Sequence, residues 1–334
     1  MENVKFGRTG LFVSRLCLGT GTFGYQCDEP TSVAIMDKAF DSGINFFDTS
    51  NGYPIGGGLP KAGITEEIVG RWLKGKREDV ILATKCTAVT GSRPWQRGNS
   101  RKAILSQLEG SLRRLQTDYI DLYQLHFYDP DTPADEVLGT LDGLVRAGKV
   151  RYVGCSNYLA YQVALALGRS ELLQLTRFES VQLRYNLLFR EFERELIPLC
   201  SEQQLAVTTY NPLAVGMLTG TMKPGDPPAG SRFTLGFSGP KYVKVFWHKE
   251  VFDTVEQLRV VADAAGRPMA ELAMAWILAN SAVTAPIVGA DEPAHLDAAI
   301  KATERPLEPG VKEQLDELTV RYRATDIGPP GINQ

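Results

Sequence analysis

The chain has 334 residues, 22% of them charged and 43% apolar, with a formal net charge of −3. That length holds one large domain or two ordinary ones, and the charge balance supplies no basic field for nucleic acid or an anionic membrane surface. Five scattered cysteines (Cys17, Cys27, Cys86, Cys155, Cys200) without a CxxC pair, and three histidines without metal-ligand spacing, suit reduced thiols in a cytoplasmic protein with no metal centre.

In chain order, "MENVKFGRTGLFVS" carries no apolar signal core. It reads as a β-hairpin turning at Gly7–Gly10, placed to plug the bottom of a barrel. No apolar run reaches membrane-spanning length; "AMAWILA" is too short. Eight short apolar segments follow, at 15–21, 44–50, 80–86, 121–126, 151–157, 180–186, 205–211 and 284–290. Their near-continuous apolarity suits strands buried on both faces. Helical stripes lie between them. One spans 101–115 (Ile104, Leu105, Leu108, Leu112, Leu115) and another 134–147 (Val137, Leu138, Leu141, Leu144, Val145). Gly43, Gly75, Gly148 and Gly266 stand where helix ends belong. Thr31 or Ser32, after Pro30, is the expected cap of the first helix. Eight strands alternating with helices predict a (β/α)8 TIM barrel, one domain over 1–334, with an N-terminal hairpin cap. The Gly- and Pro-rich stretch 214–249 reads as a long loop after the seventh barrel strand.

Two competitors fall on spacing. "GTGTFG" at Gly19–Gly24 fits the dinucleotide fingerprint of a doubly wound sheet, but no helix opens at its last glycine. A short-chain dehydrogenase needs Tyr-x-x-x-Lys, which none of the twelve tyrosines provides.

In a TIM barrel the chemistry sits at the C-terminal strand ends. There the sequence places Asp48 with Tyr53 just beyond, Lys85, His126, Ser156 with Asn157, Gln182, and Tyr210 with Asn211. Taken singly, each has an ordinary explanation: a helix cap, a solvated lysine, a buried histidine. Together they put an acid, a phenol, an ammonium and an imidazole on adjacent strand tops. Hydride reduction of a carbonyl leaves an alkoxide that needs a proton as it forms. A phenol is a poor acid near its ordinary pKa of about 10, and a neighbouring ammonium is expected to lower it. Asp48 is the counter-charge for Lys85. His126 can donate to the carbonyl oxygen. The hydride itself must come from a cofactor.

In order and spacing, Asp48 and Tyr53 in "FDTSNGY", Lys85 in "LATK" and His126 in "QLH" resemble the catalytic tetrad of the aldo-keto reductase family. "GCSN", "QLRYNLL", "YNPLAVGMLTG" and "IVGADEPAHLDAAI" extend the resemblance over roughly 4–330. It is nearest to the branch of bacterial sugar and aldehyde reductases and potassium-channel β subunits. The resemblance implies a reductase with Tyr53 as general acid acting on a small-molecule carbonyl, or on the corresponding alcohol in reverse. The alternative is a non-catalytic nicotinamide-binding regulatory subunit like the channel β subunits; His126 speaks against it, because those relatives carry Asn there. Oligomeric state is left open.

By the same resemblance Ser156, Asn157 and Gln182 hold the nicotinamide carboxamide, and Tyr210 stacks on its ring. Asn211, Leu213 and Gly216 form the pyrophosphate segment, while Gly21, Thr22 and Phe23 line the reactive end. The adenine end departs from relatives. Gly289, Ala290 and Asp291 follow the last strand, and Ala298 and Ala299 stand where a Glu-Asn pair is usual. Asp291 would repel a 2′-phosphate that Arg232 and His295 could attract. The preferred cofactor is NADP, with NAD possible. Tyr25, Trp95, Phe127, Tyr128 and Trp247, with Arg93, Gln96 and Arg97, could frame a pocket for hydroxylated or aryl carbonyls.

Overall fold

The structure, a computed structural model, describes residues 1–236 and 238–324. β1 (Asn3–Lys5) and β2 (Phe12–Ser14) pair antiparallel, with Asn3 opposite Ser14. The barrel strands are β3 (Cys17–Gly19), β4 (Phe46–Asp48), β5 (Ile81–Cys86), β6 (Ile120–Leu125), β7 (Val150–Ser156), β8 (Phe178–Arg184), β9 (Ala206–Tyr210) and β10 (Ala285–Gly289). They are parallel and close in the order β10-β3-β4-β5-β6-β7-β8-β9, so each predicted apolar segment contributes one stave. The helices α1 (Glu29–Asp41), α2 (Ile64–Trp72), α3 (Arg101–Leu115), α4 (Ala134–Arg146), α5 (Ala160–Leu173) and α6 (Leu196–Glu202) connect β3 through β9 in turn. Then α7 (Gly239–Phe246), α8 (Lys249–Ala264) and α9 (Met269–Leu278) precede β10, and α10 (Asp297–Glu304) and α11 (Pro309–Leu318) follow it.

The apolar stripes turn toward the barrel. In α3, Ile104, Leu108, Leu112 and Leu115 are buried, but Leu105 is 40% exposed and lies off the stripe. All four predicted capping glycines take positive φ just past helix ends. The cap of α1 differs from expectation. Asp28, not Thr31 or Ser32, is the N-cap and accepts the Thr31 N–H at 2.9 Å. Pro30 explains the shift, because its fixed φ and missing N–H belong in the first turn rather than before it.

The hairpin does close one end of the barrel. Phe6 and Val13 pack with Cys17, Phe46, Ala206 and Ala285, residues at the strand starts. Gly7, at φ 57°, lies so close to the entry of β9 that a Cβ there would stand 2.7 Å from the Ala206 nitrogen. With that end filled, the opposite rim carries the strand-end polar groups. The stretch 214–249 is not a plain loop: Ala214–Thr219 forms 3-10 turns and α7 lies within it. A Cβ added at its Gly236 would stand 3.3 Å from the Gly56 carbonyl oxygen, beyond β4, so the segment reaches across the rim.

Candidate active site

Strand alternation points every second side chain inward, and register brings the polar ones together. Lys85 pairs across from Gln124, and Ser156 across from Gln182. Lys85 is fully buried and ion-paired to Asp48 Oδ1, and it also donates to the Thr49 carbonyl at 2.9 Å. Asp48 Oδ2 accepts from Gln124 Nε2 at 3.1 Å and Gln182 Nε2 at 2.9 Å. One carboxylate thus receives an ammonium and two amides, which is what keeps a buried charge tolerable.

Tyr53 is half-buried, with the Lys85 ammonium 5.1 Å from its ring centroid. The His126 ring meets it edge-on at 5.8 Å and stacks on Phe127 at 4.4 Å. The tetrad residues therefore share one site. The expected lowering of the Tyr53 pKa is corrected, however. Burial pushes the phenol up, the Lys85 charge offsets only part of that, and the balance lies above the ordinary value. For Lys85, burial works against the ammonium, but Asp48 and Tyr53 together outweigh it and its pKa is raised. Burial, then the Lys85 charge, drives His126 well below the ordinary imidazole value. At neutral pH the cluster is therefore a loaded phenol, a charged ammonium and a neutral imidazole.

Around these, Asn157, at φ 59°, donates to the His126 carbonyl at 2.9 Å and to Ser156 Oγ at 3.1 Å. Its Oδ1 accepts the Tyr210 hydroxyl at 2.7 Å. Gly21 lies against Tyr53, where a Cβ would stand 3.5 Å from Tyr53 Cε2. Thr22 is buried and donates to the Ala290 carbonyl at 2.9 Å. Phe23 is fully buried in the main core and presents no side-chain surface to the rim. Asn211, Ala214 and Val215 all take positive φ, as does Gly216 at 103°. Left-handed backbone at a β-branched residue such as Val215 is strained, and strain of this kind gathers at ligand-holding turns.

Two residues escaped the sequence reading. Arg184 shares the inward face of β8 with Gln182, so two-residue alternation could have flagged it. It is buried, and its guanidinium lies 5.8 Å from the Tyr210 ring and 5.7 Å from the Tyr242 ring. Tyr242, on α7, gives no signal because the Gly- and Pro-rich stretch around it reads as loop. Arg232 stands 5.9 Å from the same ring. Burial raises the Tyr242 pKa, but the charges of Arg232 and Arg184, with smaller help from Asn211, overcome it and leave it below the ordinary value. Arg184 Nε, Arg232 Nε and Asn211 Nδ2 are all buried without a hydrogen-bond partner among the described residues. Three orphaned donors around one phenol cost free energy unless an acceptor joins them.

The remaining predicted residues lie further out. Leu213 packs against the main core. Gly289 and Asp291 are exposed, and the Asp291 N–H donates to His295 Nδ1 at 3.3 Å, so these two adenine-end residues engage each other. Ala299 is buried. Tyr25 is 43% exposed beside Gly56, and Tyr128 sits edge-on to Tyr158 at 5.3 Å. Trp95 has Lys102 over its ring at 4.1 Å. Trp247 is taken up by Phe233 and Phe252 and donates to the Gly225 carbonyl at 2.6 Å. Of the predicted aromatics, Phe127 lies against the tetrad, stacked on His126.

Residues 15–320 match the aldo/keto reductase family. The chain is 38% identical over 325 residues to "Uncharacterized oxidoreductase YrpG" of Bacillus subtilis (strain 168), covering 95% of this chain and 96% of that protein. It is 35% identical to "Probable voltage-gated potassium channel subunit beta" of Oryza sativa subsp. japonica, over 91% of this chain and 92% of that one. It is 34% identical to "Protein tas" of Escherichia coli (strain K12), over 96% and 99%. Barrel, polar rim and these matches agree: the chain belongs to the aldo/keto reductase family.

Proposed function

We propose that the chain is one reductase domain in which Tyr53 gives a proton to the oxygen of a bound carbonyl while a nicotinamide dinucleotide supplies the hydride. Membership of the family makes the chain an oxidoreductase of nicotinamide-dependent carbonyl chemistry. The observation that carries the finer reading is the buried Lys85–Asp48 pair beneath Tyr53, flanked by His126. Lys85 stabilises negative charge as it grows on the phenol oxygen. Asp48 keeps Lys85 charged. Neutral His126 donates a hydrogen bond to the carbonyl oxygen and orients it. A phenol held above its ordinary pKa starts each turnover protonated, as an acid must. Assay of the protein with NADPH and NADH against sugar, aliphatic and aryl carbonyls tests the reading; no turnover with any of them would remove it. Aromatic and hydrogen-bonding groups near the rim favour a hydroxylated or aryl carbonyl.

The charge states set the pH dependence. Tyr53 and Lys85 are raised and His126 is lowered, so none of them changes charge between about pH 7 and 9. Single-turnover hydride transfer is expected to stay flat across that range and to fall above about pH 10, as Tyr53 loses its proton. An inflection near neutrality would contradict this assignment.

The orphaned donors fit a dinucleotide. We assign Arg184 and Asn211 to its pyrophosphate and Arg232 to a 2′-phosphate, with Ser156, Asn157, Gln182 and Tyr210 around the nicotinamide; this makes NADP(H) preferred over NAD(H). A charge-assisted hydrogen bond contributes about 1.5–3 kcal/mol, or roughly ten- to a hundredfold in affinity. Arg184→Met should raise the Kd of both cofactors by that factor. Arg232→Ala should do so for NADPH and leave NADH nearly unchanged. Equal effects of Arg232→Ala on both cofactors would move Arg232 to the pyrophosphate and remove the basis for preferring NADP(H).

A further inference from the structure

We propose that Ser50 sets the tautomer of His126: its hydroxyl donates to Nδ1 and so keeps the single ring proton at Nε2, available to an incoming carbonyl oxygen. Ser50 lies two residues past the end of β4 and is fully buried. Its Oγ is 3.2 Å from His126 Nδ1 and accepts the Gly52 N–H at 3.3 Å.

Proton bookkeeping decides between the two tautomers. A serine hydroxyl offers one proton and two lone pairs, and a neutral imidazole offers one donor nitrogen and one acceptor nitrogen. With the ring proton on Nδ1, Ser50 Oγ would face two donors, Gly52 N–H and Nδ1–H. Its own proton would then have no acceptor among the described residues, in a buried position. With the ring proton on Nε2, Gly52 donates to Oγ and Oγ donates to Nδ1, so the buried Ser50 hydroxyl and Nδ1 are both satisfied and Nε2–H is left for an incoming acceptor. Leaving a buried donor unmade shifts such an equilibrium by about tenfold or more.

The His126 backbone and ring plane are also anchored. Its own backbone N–H donates to the Cys86 carbonyl and to Thr87 Oγ1, each at 3.2 Å, and Asn157 holds its carbonyl. Phe127 lies parallel to it, within 4°. A partner on one ring nitrogen fixes what the other can do. Ser50 is therefore a positioning residue: it touches neither substrate nor cofactor and acts through His126. Only the use made of the Nε2 proton rests on the reductase reading; the tautomer itself does not.

The test reads the tautomer directly. Imidazole ¹⁵N resonances are recorded on the free, full-length protein at neutral pH, where three histidines give a tractable spectrum. His126→Asn identifies the His126 signals by their loss. The expected wild-type pattern is a protonated Nε2 and a bare Nδ1. In Ser50→Ala both nitrogens should move toward the averaged positions of mixed tautomers, and kcat should fall about tenfold with KM little changed. A wild-type ring protonated at Nδ1 overturns the proposal, as does a Ser50→Ala spectrum identical to wild type. If the protein turns nothing over, the reductase reading fails while the spectrum still decides this one.

Discussion

Tyr53→Phe is expected to cut single-turnover hydride transfer by at least about 10²-fold, the lower end for a lost general acid, and to leave cofactor affinity unchanged. The substitution removes one oxygen. The ring keeps its edge-on contact with His126 and its place 5.1 Å from the Lys85 ammonium. Lys85 loses its interaction with the phenol oxygen but keeps Asp48 and the Thr49 carbonyl. The groups proposed for the nicotinamide, namely Ser156, Asn157, Gln182 and Tyr210, are held by one another and by Asp48 rather than by the phenol. The variant should therefore bind cofactor and fail at the chemical step. Near wild-type turnover with the best carbonyl would take Tyr53 out of its role, and the proposed mechanism with it.

Lys85→Met is expected to do comparable catalytic damage and, unlike Tyr53→Phe, to unsettle the fold. Asp48 is only 2% exposed, and without Lys85 its carboxylate keeps, among the described residues, only the Gln124 and Gln182 amides. Orphaning one partner of a buried ion pair costs about 3–5 kcal/mol, to be read from urea unfolding. Adding Asp48→Asn removes the stranded charge, so the double variant should regain most of that stability without regaining turnover. Restored turnover in the double variant would show that the pair acts only structurally. Tyr53→Phe and Lys85→Met should also be far from additive, because they disable one device. A Lys85→Met protein as stable as wild type would contradict the pairing.

Much of this could be read from the chain because it is local. A strand buried on both faces must be continuously apolar, so "VILATKC" and "DLYQLH" show themselves. A polar residue closing such a run must lie at a strand end, which places Asp48, Lys85 and His126 on one rim once the barrel is inferred. The hairpin was equally plain, with short β-rich runs on either side of Gly7–Gly10.

What the sequence could not settle depends on packing between distant segments. Helix α7 forms inside a stretch whose glycines and prolines read as loop, and it brings Tyr242 between Arg184 and Arg232, residues far apart in the chain. Phe23 reads as a rim residue two positions beyond Gly21, yet the fold turns its ring into the core. Ser50 passed for a residue of the "FDTSNGY" motif until His126, 76 positions away, was folded against it. The Tyr53 pKa is the clearest case. The sequence supplies the nearby ammonium, which lowers it, but the dominant effect is burial, which raises it. Charge is a property of a residue type and can be read one position at a time. Desolvation is a property of everything packed around the group, and only the assembled barrel fixes it.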